Sequence, residues 1–333
     1  MTQPDSNSTP KTLLPDGRRT PRFAGLCTFC RFPRIDDVVG GPESVDWAIY
    51  GVPFDSGVTF RPGARFGPRA VRDASQYMKP FHPDLGVNIA DELSCADAGD
   101  APVAPFDCES NASMVSEWAA ELGDRERTHL LAVGGDHSIA YSNMRATFER
   151  LGRPAGGMAL LHLDAHLDTV DSVWGERWGH ASPFIRAIEE KIIDPKAMLS
   201  VGIRGGLNTA RDLDYANTQG VTIVRSEDLH TPDGGAAIEA FRRGVADRPV
   251  YVSIDIDVLD PAFAPGTGTP VCGGMSTREA FALLRSMRGL TIAGADIVEV
   301  LPDRDPSGIT ALAASHIVME ILALAAVNAA AGR

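Results

Sequence analysis

Along the chain, short apolar or β-branched runs recur at 47–52, 129–133, 158–163, 198–203, 221–224, 249–256 and 291–298, with a weaker one near 86–90. Most are separated by segments long enough for a helix, and that alternation predicts a parallel sheet with helices on its faces. The helical candidates are 138–151, 234–246, 276–288 and 308–328. Ser276 followed three residues later by Glu279 has the form of a capping box, and Pro232-Asp233-Gly234 stands where a helix would start. Residues 1–40 lack sustained periodicity and are rich in Pro, Thr, Asp and Arg, which reads as an extended N-terminal arm. From 41 to 333 there is no repeat and no low-complexity linker, so the expectation is one three-layer α/β/α domain around a mainly parallel sheet of about eight strands.

Composition narrows the function classes. With 44% hydrophobic and 23% charged residues the 333-residue chain resembles an ordinary globular protein. Its 31 basic against 44 acidic side chains leave a net charge of −13, which opposes nucleic acid and anionic membranes as partners and suits a small cationic substrate. No uninterrupted apolar run approaches the ~20 residues of a membrane span, and the first residues are polar, so a cytoplasmic protein is expected. The five cysteines include a solitary Cys27-x-x-Cys30 with no second pair to complete a zinc site, and reduced thiols are the expectation there.

The candidate chemistry lies at the ends of three of the runs. Val133 leads into Gly134-Gly135-Asp136-His137-Ser138, Leu163 into Asp164-Ala165-His166-Leu167-Asp168, and Ile254 into Asp255-Ile256-Asp257. In an open parallel sheet the carboxyl ends of the strands form the binding crevice, where residues distant in sequence converge. If these segments stay extended, Asp164, His166 and Asp168 share one side, as do Asp255 and Asp257. A lone Gly-Gly-Asp-His is explained equally well by a tight turn and a core histidine. The alternating Asp and His positions are harder to explain without a metal, because unpaired carboxylates in such a place carry a heavy desolvation cost. Four aspartates balance two divalent cations, and mixed carboxylate and imidazole ligands without thiolate favour Mn²⁺, with Ni²⁺ possible. Two such ions activate a water for hydrolysis near neutral pH. His162 reads as a residue behind the cluster, and Asp260 before Pro261 as turn chemistry.

The stretches GGDHS at 134–138, LDAHLDT at 163–169 and SIDIDVLDPAFAPGTGTP at 253–270 resemble the metal-binding motifs of the ureohydrolase family of arginases and agmatinases. YGVPFDSGVTFRPGARFGPRAVR at 50–72 and EVLPDRDPSGITAL at 299–312 are similar to its agmatinase-type members, so that the resemblance covers residues 22–328. It implies an arginase-like fold and a binuclear centre. His137, Asp164, Asp168 and Asp255 would hold one ion, and His166, Asp164, Asp255 and Asp257 the other. Glu299 would grip the substrate guanidinium and His180 would relay protons, with Asp168 orienting the attacking water. The products would be urea and an amine, made by a trimer or hexamer of identical subunits or by a hetero-oligomer of related ones.

The departures from the agmatinase pattern fall where specificity is set. His180-Ala181-Ser182 replaces the common His-Gly-Thr, Trp174 and Trp178 precede it, and Arg304 follows Glu299, so Trp174, Trp178 and Arg304 become candidate substrate contacts. Agmatine leads the substrate classes, followed by 4-guanidinobutyrate and other guanidino acids, then small N-alkylated guanidines or a biguanide. Two other classes remain as rivals: a deacetylase with one zinc, and a silent partner subunit that binds no metal. Metal stoichiometry separates the three.

Overall fold

A computed structural model describes residues 10–331. Eight strands form one sheet: β1 Trp47–Val52, β2 Cys95–Asp100, β3 His129–Gly134, β4 Met158–Leu163, β5 Ile193–Ile203, β6 Thr222–Arg225, β7 Val250–Asp255 and β8 Ile292–Val298. They lie in the order β2-β1-β3-β8-β7-β4-β5-β6, and every adjacent pair is parallel. Every residue of β1, β4, β7 and β8 is buried, as a sheet covered on both faces requires.

The predicted helices appear as Ile139–Arg150, Pro232–Gly244, Thr277–Ser286 and Ile309–Ala331. Both halves of the Ser276–Glu279 capping box form, and Thr231 caps the helix at Pro232 by accepting the Gly234 amide. The last helix is 23 residues long and by length and apolarity could cross a bilayer. It instead packs into the core through Ile317, Ile321, Leu322 and Leu324, and its buried Glu320 pairs with Arg285 at 2.9 Å and His82 at 3.1 Å. Its sequence is not an unbroken apolar run, since Ser315, His316 and Glu320 interrupt it.

Two features differ from the sequence reading. The weak strand near 86–90 is a two-residue piece, Val87–Asn88, of a small antiparallel hairpin outside the main sheet. The eighth strand is β2, whose sequence Cys-Ala-Asp-Ala-Gly-Asp has low β-propensity and sits at an edge. The expected arm also contributes to the core. Phe29, Cys30 and Phe32 are buried, the Phe29 amide donates to Asp97 at 2.9 Å, and Pro33 accepts the Asp97 amide at 2.9 Å. The arm thereby covers a sheet edge that would otherwise present unpaired backbone. Cys27 and Cys30 are free thiols, and burial pushes Cys30 up to about 12.

Candidate metal centre

The four central strands, β3, β8, β7 and β4, reach the same level: Ile297 pairs with Val133 and Ile254, and Ile254 with Leu163. The chain leaving each one carries a candidate residue, so Asp136 and His137, Glu299, Asp255 and Asp257, and Asp164 through Asp168 meet over the middle of the sheet. They are aimed by turns and not by the extended alternation that their spacing suggests. Asp136, Asp164 and Asp255 each accept the amide two residues ahead, at 3.0, 2.6 and 2.8 Å, which makes an Asx-turn at each strand end. Ile256–Val258 is a 3₁₀ turn and Asp168 has φ of 51°. Gly135 serves close packing: a Cβ there would lie 2.0 Å from the Phe54 carbonyl oxygen.

The buried Nδ1 of His137 has no hydrogen-bond partner and faces carboxylate oxygens of Asp164, Asp168 and Asp255 at 3.1, 2.8 and 3.5 Å. Its tautomer follows from the other ring nitrogen. Nε2 lies 2.9 Å from Ser253 Oγ, whose own hydrogen is spent on Asp296 at 2.7 Å, so His137 donates from Nε2 and keeps a free lone pair on Nδ1. A lone pair among three carboxylates is what a cation requires. His166 Nδ1 similarly faces Asp257 at 3.1 Å and Asp164 at 3.4 Å, so Asp164 is common to both histidines. Proton affinities within the cluster diverge. Burial and the charges of Asp257 and Asp164 push Asp255 well up, whereas Asp164 is held well down, its burial being outweighed by His137, His162 and His166. Burial alone would lower His166, but Asp257 and Asp164 drive it up to about 12. The carboxylates carry more negative charge than the histidines balance, and the donor set fits divalent metal.

Beneath this layer runs a polar row that the sequence reading recognised in part. Ser200, His162, Ser253 and Asp296 are register neighbours on β5, β4, β7 and β8, all fully buried. His162 bridges Ser200 Oγ at 3.1 Å and Asp164 at 2.9 Å, in the supporting role expected for it. Asp296 also accepts the Tyr251 hydroxyl, and Asn143 ties Tyr251 to Tyr50. Ser253 and Asp296 escaped notice, although a lone polar residue inside each apolar strand was the available signal.

Glu299 is fully buried with φ of 64°. Its Oε1 accepts the His137 amide at 3.0 Å and pairs with His180 Nδ1 at 2.8 Å, while Oε2 is buried without a partner. His180 Nε2 lies 2.9 Å from the Thr59 amide and 2.8 Å from its hydroxyl. Burial opposes a second proton on His180, but Glu299, Asp168 and Asp136 outweigh it and push the ring up to about 9. The Thr59 amide pulls the other way, since an N–H aimed at Nε2 favours a ring nitrogen without a proton. Asp136, not singled out from sequence as a site residue, anchors the Gly57 amide at 2.9 Å, and Gly57 in turn accepts the His180 amide at 3.0 Å. Burial and the Glu299 charge push Asp136 up to about 7.

A pocket of about 350 Å³ opens onto this cluster, and His166, Asp168, His180 and Asp255 line it. The remaining specificity candidates stand apart from its wall. Trp174 is 84% exposed at the tip of a hairpin-like turn, Trp178 packs edge-on against Tyr141 at 5.0 Å, and Arg304 is exposed beside Asp303. Ala181 has no left-handed backbone, so the loop needs no glycine there.

The arginase-family model matches residues 45–324. Proclavaminate amidinohydrolase from Streptomyces clavuligerus is 41% identical over 307 residues, covering 92% of this chain and 95% of that protein. Its solved structure superposes with a TM-score of 0.84 at 40% identity, covering 93% of this chain and 100% of that one. Guanidinopropionase from Pseudomonas aeruginosa is 40% identical over 326 residues, 98% of this chain and 99% of the relative. The parallel eight-stranded sheet, the His and Asp cluster at its carboxyl edge and these matches lead to one conclusion: the chain belongs to the arginase family.

Proposed function

We propose that the protein is a binuclear-metal hydrolase that cleaves a guanidino compound to urea and an amine. The observation carrying this reading is the coexistence, at one edge of the sheet, of two buried and unsatisfied atoms: a histidine nitrogen facing three carboxylates, and a glutamate oxygen. The first suits a cation held by protein ligands and the second suits a guanidinium N–H. His137, Asp164, Asp168 and Asp255 would hold one ion, and His166, Asp164, Asp255 and Asp257 the second. When bound, two divalent cations supply Lewis acidity and an activated water. Mn²⁺ is the preferred metal and Ni²⁺ the alternative.

The protein's own groups do the rest. Glu299 Oε2 accepts from the guanidinium and fixes the carbon over the cluster, a charge-assisted pairing in a buried site. Asp168 orients the water. His180, with Nδ1 on Glu299 and Nε2 on Thr59, would relay to the departing nitrogen the proton that the attacking water gives up, a role that requires Nε2 to leave the Thr59 amide. Agmatine leads the substrate candidates, ahead of 4-guanidinobutyrate, and the enzyme is expected to work in the cytoplasm as a trimer or hexamer. The test is a urea-release screen over guanidino compounds after loading with Mn²⁺ and, separately, Ni²⁺. Urea from at least one compound, abolished by chelation, is expected; none from any compound by protein carrying two ions overturns the reading.

A further inference from the structure

We take as the outer half of the pocket the part of its lining that is neither a candidate metal ligand nor His180. Leu167, Val170, Val173, Ile203 and Leu207 supply its apolar surface, beside the neutral polar residues Thr169, Asn208 and Thr269. Two charged side chains line this half among the described residues, Arg204 and Asp212. Arg204 would be the natural partner for a substrate carboxylate, but its guanidinium is already committed. Nε and Nη2 donate to the Val271 carbonyl at 3.1 and 2.8 Å, Nη2 to those of Asp257 and Leu259 at 2.6 and 3.2 Å, and Nη1 to those of Gly202 and Val258 at 3.1 and 3.2 Å. It fastens the end of β5 to the loop carrying Asp257. Freeing it for a ligand would leave buried carbonyls unpaired.

Asp212 has the opposite character. Its carboxylate closes a capping box by accepting the Thr209 amide and hydroxyl, each at 3.1 Å, and it forms no ion pair among the described residues, whereas Arg204 lies among Asp257, Asp164, Asp260 and Asp255. We infer that this outer half is a tail subsite for an alkyl chain that does not end in a carboxylate, with Asp212 as the charge that selects against acids. The assignment rests on the hydrolase reading above, which fixes the guanidinium end at Glu299. A carboxylate tail loses water to an apolar wall, meets a like charge and finds no free cation among the described lining residues, whereas a methyl-terminated chain has only apolar surface to bury.

The matched pair that isolates the end group is 1-butylguanidine against 4-guanidinobutyrate, each assayed for urea release and for its effect on the Tm of the metal-loaded enzyme. A kcat/KM for butylguanidine at least about tenfold higher is expected, the size of one screened charge contact at a half-exposed site. In Asp212→Lys the acid should gain about tenfold relative to butylguanidine. Asp212→Asn, which keeps an acceptor for Thr209, should shift the ratio in the same direction by less, and so separates charge from loop structure. A higher kcat/KM for the acid in the wild type, or ratios unmoved in both variants, overturns the assignment. Binding tells this failure from failure of the chemistry: a Tm raised by butylguanidine and not by the acid, without urea, keeps the tail subsite and refutes hydrolysis. No urea and no Tm shift from either compound overturns both.

Discussion

The two ends of the same sheet offer a controlled comparison. At the amino-terminal edge, around Trp47, His129 and Ile292 where β1, β3 and β8 begin, lies a cavity of about 620 Å³, larger than the 350 Å³ pocket over the metal ligands. It contains a carboxylate, two cations, an imidazole and a tryptophan, which by residue type could pass for a binding site. Its polar groups, however, satisfy one another. Asp46 accepts Arg127 at 2.8 Å, the Ser94 amide at 2.9 Å and Lys11 at 3.4 Å, while His129 meets the Ala293 carbonyl at 3.1 Å and stacks on Trp47 at 5.1 Å. At the carboxyl edge His137 Nδ1 and Glu299 Oε2 are buried without a partner. Volume therefore does not identify the reactive end; an unpaired imidazole nitrogen facing three carboxylates does.

The largest expected contrast follows from ligand removal. Asp255→Ala should lose bound metal and measurable urea release together, as read by elemental analysis and a urea assay, whereas Asp46→Ala at the opposite edge should change neither. Next in size is Glu299→Gln, which keeps both ions and loses ~3–5 kcal/mol of transition-state stabilisation, roughly two to four orders of magnitude in kcat/KM, because one partner of a buried charge pair is gone. Near-normal turnover would remove Glu299 from substrate recognition. Ser253→Ala tests the row beneath the ligands: freeing His137 Nε2 should weaken metal affinity ~10–100-fold in a chelator competition while leaving the ligands intact. An unchanged affinity would show that the tautomer does not depend on Ser253.

The amino-terminal edge should report on stability alone. Asp46→Ala should lower the unfolding free energy by ~1–2 kcal/mol through its orphaned backbone and arginine donors. His129 gives that end a pH signature. Burial depresses its proton affinity below the ordinary 6.5, so the unfolded chain takes up the proton first. Its stabilising contribution is present above pH 6.5 and is lost as pH falls through the depressed value. Tm measured from pH 8 to 5 should therefore fall more steeply for the wild type than for His129→Gln; parallel curves would contradict the assignment.

The same comparison explains what was legible in the sequence. Fully buried strands such as Leu130-Leu131-Ala132-Val133 and Val250-Tyr251-Val252 announce themselves by composition, because both faces need apolar cover. Edge strand β2 does not, since its Gly99-Asp100 end is solvent-facing and its partner in burial, the Phe29–Phe32 segment, comes from 60 or more residues away. The metal motifs were visible as residue types at strand ends, but their convergence depends on Asx-turns and the left-handed Asp168, which spacing alone does not reveal. Trp178 and Arg304 lie off the pocket wall, the indole edge-on to Tyr141 and the guanidinium exposed beside Asp303. Committed groups such as Arg204 can be recognised only once their partners are in place.

The most direct test of the central claim is metal stoichiometry in protein stripped of metal, reloaded with Mn²⁺ and freed of excess, for the wild type and Asp164→Ala. Asp164 is the carboxylate that both His137 and His166 approach. The account predicts two ions per chain in the wild type and loss of both in the variant, with urea release lost in parallel. A wild type that turns over with a single ion, or an Asp164→Ala protein that retains two, would contradict it.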